Sequence, residues 1–181
     1  MTFGGKILRL FGLFALQFHA GLSLCYAQFE NDSTAPIEIV ADSMEWLNEE
    51  KIAIATGNAD AVQGRYTLRA HVLIAHIADG PNGNNQSNSQ ISLIEAEGDV
   101  LLITPNEKAR GSAGIYDVRN RTAVLTGSVI LTQGENVLRG ERLIMDLNTG
   151  RSRLEGTTGH TEPTKDGRVK AIFNPENVDE P

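Results

Sequence analysis

The chain has 181 residues, 22% of them charged, a formal net charge of −7 and one cysteine. That length fits one ordinary domain, with or without a tail. The pI near 5.1 argues against a nucleic-acid binder, and a lone cysteine excludes an internal disulfide and a cysteine-rich zinc site.

The N-terminus reads as an export signal over residues 1–27. Lys6 and Arg9 form a short positive region, and Leu10 to Leu24 is mostly apolar, interrupted by Gln17 and His19. Cys25-Tyr26-Ala27 places small side chains at −3 and −1 of a cut after Ala27, so a secreted chain would begin at Gln28. An uncleaved anchor needs a longer, cleaner apolar run, and Leu24 is bulky for a lipoprotein site at Cys25. Removing the segment takes away two basic residues, four phenylalanines and the cysteine, leaving a net charge of −9. The remaining 154 residues hold five aromatics: Phe29, Trp46, Tyr66, Tyr116 and Phe173. Their interior must be almost wholly aliphatic.

After a flexible segment, 28–35, the chain is a repeat. Gly57, Gly98, Gly127 and Gly156 stand in similar settings at spacings of 41, 29 and 29. The longer spacing carries a polar Gly80 to Gln90 insertion, with no apolar residue to bury. Turn formers follow each glycine by seven (Gly64, Pro105, Gly134, Pro163) and arginines by twelve (Arg69, Arg110, Arg139, Arg168). Large apolar residues follow by seventeen (Ile74, Ile115, Ile144, Phe173), and a half copy precedes them at Pro36 to Asp42. A fixed period with insertions confined to loops marks stacked supersecondary units.

Each unit reads as β: short runs of Val, Ile, Leu and Thr between turn residues. Parity sets the faces around each glycine. Thr56, Glu97, Thr126 and Glu155 before it, and Asn58, Asp99, Ser128 and Thr157 after it, face water. Ala55, Ala96, Leu125 and Leu154 face inward, as do Ala59, Val100, Val129 and Thr158, then Ala61, Leu102, Leu131 and His160. In the second half Ile74, Ile115 and Ile144 compete with Leu73, Leu143 and Met145. A bulge would shift parity there, so both faces stay open. The arginine column belongs on a solvated face, paired with nearby acids.

The small inward side chains allow two interiors: a thin, closely packed core, or a slot left partly unfilled for acyl chains. Pro36 to Asp42, the Thr-Gly-Asn and Thr-Gly-Ser-Val steps, Leu131 to Gly134 and Gly111 to Val118 together resemble the LptA/OstA family of periplasmic lipopolysaccharide-transport proteins. The resemblance runs from about Pro36 to Phe173. It implies a repeat-built antiparallel β-jellyroll over 36–173, open at both ends, with an acidic tail at 174–181. It further implies a periplasmic protein that shields lipid A acyl chains and bridges inner and outer membranes for outer-membrane assembly.

By that resemblance Ile37, Ile39, Tyr116 and Val118 line the groove. The parity argument adds Val100, Leu102, Leu125, Val129 and Leu131. Tyr116 equally fits a buried tyrosine filling a core gap with its hydroxyl at the rim. The first strand, Ile37 to Val40, and the last, Arg168 to Phe173, are the edges expected to pair with other jellyrolls. Implied partners are lipopolysaccharide, an LptC-like inner-membrane jellyroll, an LptD-like outer-membrane N-terminal jellyroll and a second copy of the chain, head to tail.

No catalytic residue, metal site or cofactor is expected. No Gly-x-Ser-x-Gly, His-Glu-x-x-His or phosphate loop occurs in the sequence. His71 and His76, five apart, would point to opposite faces of one regular strand. Two other readings stand beside the carrier: an inner-membrane-anchored sister component keeping residues 7–24 as a helix, and a periplasmic scaffold with a filled core.

Overall fold

The computed structural model describes residues 35–78, 90–157 and 167–174. The export signal, residues 80–89 of the polar insertion and most of the acidic tail lie outside the described residues, as do Thr158, His160 and Pro163.

Ten strands follow one another: β1 Ile37–Val40, β2 Ser43–Leu47, β3 Ile52–Gln63, β4 Tyr66–Ala78, β5 Gln90–Ile103, β6 Lys108–Asp117, β7 Thr122–Gln133, β8 Asn136–Asp146, β9 Arg151–Glu155 and β10 Lys170–Ile172. All pairs are antiparallel, and from β3 to β8 each strand lies beside its sequence neighbour in an unclosed sheet. The short strands cap the two edges. β1 and β2 lie along successive halves of β3, and β9 and β10 along successive halves of β8.

The repeat glycines make the fold bend. Thr56 pairs with Val72 and Ala59 with Ala70, so Gly57 and Asn58 together oppose His71 alone. Gly98-Asp99 and Gly127-Ser128 interrupt the ladder in the same way. Both residues of each pair have positive φ, 81° and 44° at the first pair, 78° and 48° at the second and 83° and 50° at the third. Each pair is a bulge, which kinks its strand and increases local twist. Aligned bulges form a hinge line that divides the sheet into two wings. One wing holds β2, β9, the first halves of β3, β5 and β7 and the second halves of β4, β6 and β8. The other holds β1, β10 and the remaining halves.

The wings pack face to face. Ala55, Ala59, Ala61, Ala96, Val100, Leu102, Leu125, Val129 and Leu131 are all buried, and the polar residues flanking the first three glycines are exposed. The undecided second half resolves as follows. Leu73, Leu143 and Met145 are buried, whereas Ile115 is 47% exposed and Ile74 and Ile144 are half-buried on the outer side. The bulged strand's partner must skip one register position, which reverses parity between Ala70 and Leu73 and between Gly140 and Leu143. Nine of the twenty buried apolar residues are alanine, so the wings approach closely. At Gly114 a Cβ would already touch Val100 of the other wing at 3.3 Å.

The fourth repeat departs from its columns. β10 occupies the place beside β8 that a direct continuation of β9 would take, with Lys170 opposite Arg139. Thr157 N–H donates to Gly167 O at 2.8 Å and joins the two ends of the intervening segment. Arg168 and Phe173 therefore flank a three-residue strand, not the ends of a strand running Arg168 to Phe173. They are not structural equivalents of the earlier arginine and isoleucine columns. The regular-strand parity expected for the histidines does not apply, because His71 itself sits opposite the Gly57–Asn58 bulge. His71 is exposed at the bulge, and His76 Nε2 lies 2.7 Å from Glu95 Oε1 on the outer face.

Candidate functional site: the interior between the wings

Antiparallel neighbours share a face, so the register shows which side chains look into the interior. Ile37 lies opposite buried Gln63 and Ile39 opposite buried Ala61, so both face inward, half-buried at the edge. Met44 and Trp46 lie opposite buried Ala55 and Ala53, yet are 53% and 59% exposed. The inner face thus continues past the closed core onto an uncovered lip at the β1–β2 edge. Sequence reasoning missed β2, whose Ser-Met-Glu-Trp-Leu pattern shows its alternation only beside β3.

All nine expected lining residues face the interior. Val100, Leu102, Tyr116, Leu125, Val129 and Leu131 are buried, and Ile37, Ile39 and Val118 pack against them. The structure brings Ile37, Leu102 and Tyr116 together with Ile94, Leu68 and Leu147 around a void of ≈ 20 Å³ between the wings. Leu125 and Val129 sit deeper, toward the hinge line.

The buried polar residue among the described core is Gln63, and it explains Tyr116. The Tyr116 hydroxyl donates to Gln63 Oε1 at 3.0 Å across the wings, and Gln63 Nε2 donates to Ala35 O at 3.1 Å. Burial raises the Tyr116 pKa above that of a free phenol, and the nearby Arg121 charge partly offsets the rise. Tyr116 is thus a buried tyrosine beside the void, with its hydroxyl satisfied by Gln63.

Two further contacts cross from wing to wing at the rim. The Arg121 guanidinium stands 5.2 Å from the Tyr66 ring centroid, and Ser152 Oγ donates to Glu107 Oε2 at 2.9 Å. Outside them lies a mouth cleft of ≈ 210 Å³, lined mostly by polar residues such as Thr104, Asn106 and Gln133.

The turns that place these groups repeat like the strands. Asp117 and Asp146, 29 residues apart, accept backbone N–H groups of Asn120 and of Asn148 and Thr149. These bonds hold both carboxyls below the usual carboxylate range, led by the Asn120 backbone at Asp117 and by the Thr149 side chain at Asp146. Arg121 and Gly150, again 29 apart, both have positive φ. Of the repeat arginines, Arg69 shows the expected surface pairing, gripping Asp60 with two bonds of 2.6 and 2.7 Å. Among the described residues no group of three or more His, Cys, Asp or Glu could hold a metal ion.

An open, bulge-hinged antiparallel sheet with an aliphatic interior defines an open β-jellyroll. Residues 38–151 match the family described as LptA/(LptD N-terminal domain) LPS transport protein, and the chain belongs to that family. A Rhizobium meliloti (strain 1021) protein, described as uncharacterized protein R00383, is 35% identical over 136 residues, covering 75% of this chain and 72% of its own. The fold matches crystalline LptH, the LptA-homologous periplasmic component of the lipopolysaccharide transport device of Pseudomonas aeruginosa. That match has a TM-score of 0.65 and 20% identity, over 80% of this chain and 99% of LptH.

Proposed function

We propose that this protein is a periplasmic carrier of lipopolysaccharide and not an enzyme. It shelters lipid A acyl chains between its wings and passes them along a bridge from inner to outer membrane. The observation that carries this reading is the interior itself: a continuous aliphatic face shared by both wings, in a chain of the lipopolysaccharide-transport family. Each methylene taken from water contributes ~0.8 kcal/mol, so a few enclosed carbons supply a large driving force. Ile37, Ile39, Val100, Leu102, Tyr116, Val118, Leu125, Val129 and Leu131 are the proposed chain contacts. The acidic surface disfavours gripping phosphorylated headgroups by bulk charge.

The sides of β1–β2 and β9–β10 that pair with no other described strand support the bridge. An LptC-like jellyroll at one edge, an LptD-like N-terminal jellyroll at the other, and further copies head to tail would each add strands to the sheet. Ile37, Val40, Arg168 and Phe173 lie in or beside those edges, and Val40 and Phe173 are 56% and 68% exposed. Photo-crosslinkers at Val129 and Tyr116 should capture lipopolysaccharide in cells; no adduct at either position would favour a filled scaffold. Deleting 168–173 should abolish end-to-end association with capture retained. N-terminal sequencing of the exported chain should begin at Gln28, and a chain keeping residues 7–24 would identify an anchored sister component.

A further inference from the structure

Among the described residues, the void between the wings is too small for a chain. At ≈ 20 Å³ it accommodates about one water molecule, and Leu73, Ile94, Leu125 and Leu143 are at most 1% exposed. A ligand must therefore part the wings, and the structure shows where they meet at the rim. Tyr66 and Leu147 each line both the outer mouth cleft and the inner void, so they are the partition between the two.

Both halves of that partition are held by one residue. The Arg121 carbonyl accepts Leu147 N–H at 2.9 Å, and its guanidinium lies over the Tyr66 ring. Arg121 is also an uncomfortable residue. It sits at φ 51°, and its Nη1 is buried with no hydrogen-bond partner among the described groups. Left-handed backbone and an unsatisfied buried donor both raise the energy of the closed arrangement. Glu107 with Ser152 and Gln63 with Tyr116 add single polar bonds across the rim.

We infer that Tyr66 and Leu147 form a door latched by Arg121, and that an acyl chain enters sideways between the wings through the mouth cleft before it moves along the sheet. The identity of the passenger rests on the carrier reading above; the door itself does not. Opening swings the partition apart about the bulge line, exposes Ala61 and Leu68 on one wing and Ile94 on the other, and lets the Arg121 guanidinium reach water.

Two measurements test this in a chain carrying Cys25→Ser. First, Arg121→Gly removes the side-chain part of the latch, its contact with Tyr66, while keeping the backbone carbonyl and a residue suited to positive φ. It should raise the alkylation rate of Ala61→Cys, which lines the void, by roughly tenfold, and leave Ala96→Cys, buried beside the hinge line, nearly unchanged. An unchanged Ala61→Cys rate overturns the door, and so does an equal rise at both cysteines, which reports general loosening. Second, Glu107→Cys with Ser152→Cys, joined by a cleavable bifunctional thiol reagent, clamps the mouth. Clamped protein should capture neither a fluorescent single-chain fatty acid nor purified lipopolysaccharide, and cleavage of the clamp should restore capture. Capture at an undiminished rate while clamped would mean entry from an end of the sheet and overturn the proposal. If unclamped protein captured neither probe, the carrier reading would fail, and the alkylation rates would still decide the door.

Discussion

At Gly127 a Cβ would lie 2.6 Å from Ser112 Oγ and 2.8 Å from Ser112 Cβ, on a backbone already at φ 83°. Gly134 has φ 56° but nothing within 4 Å of such a carbon, because it sits at the tip of the β7–β8 turn. The pair separates steric cost from backbone cost. Gly134→Ala should lose about 1 kcal/mol and Gly127→Ala roughly 2–4 kcal/mol, read from urea midpoints with unchanged slopes. Tyr116 carries a pH signature. Its folded-state pKa lies above the unfolded value of about 10, so its stabilisation is fully present below that pH and is lost as pH rises through the folded value. Tyr116→Phe should flatten the alkaline fall in stability. At neutral pH it should cost about 1–2 kcal/mol, because Gln63 Oε1 loses its buried donor. Urea titrations of both proteins at neutral pH and above about pH 10 measure the two effects.

At the scale of strands, the bulges decide which side chains matter. Leu143 and Ile115 read alike in the sequence, but Leu143 is fully buried and Ile115 is 47% exposed. Leu143→Ala should cost roughly 2–5 kcal/mol and Ile115→Ala under about 1 kcal/mol, measured by the same unfolding curves. Equal costs would contradict the reversed parity of β8. The contrast also shows what one sequence reveals of this fold. In the strand halves that follow a glycine, parity is local: Ala59, Val100 and Val129 stand two residues after their glycines and all turn inward. The halves that answer a bulge take their parity from the neighbouring strand, so Ile144 could not be told from Leu143 without the pairing. The rim was hidden for a related reason. Gln63 and Tyr116 are 53 residues apart, and no spacing announces their bond. Arg121 falls outside the repeat arginine column of Arg69, Arg110, Arg139 and Arg168. The lining residues read from parity and resemblance were legible as inward-facing, whereas the partition formed by Tyr66 and Leu147 was not.

Across the whole molecule, the edges set its behaviour in solution. Trp46 is the chain's one tryptophan, and it stands 59% exposed on the uncovered lip of β2. Its emission should be that of a hydrated indole in dilute protein. It should shift to the blue as concentration rises if another jellyroll covers this edge, in step with particle mass by light scattering. Growth in mass without a blue shift would place the contact elsewhere. An exposed edge carrying Met44 and Trp46 is otherwise an aggregation hazard, which gives the pairing proposal its physical motive.

From β3 to β8 successive strands pair through the backbone with their immediate neighbours in the chain. Length is therefore an adjustable quantity in this architecture. Copying residues 98–126 in tandem would add two strands and one hinge bulge, extending the trough by about 9–10 Å at the usual strand spacing. The new segment would meet the same neighbours on either side. A protein built in this way can be matched to a wider gap by repeating itself, with no redesign of its core.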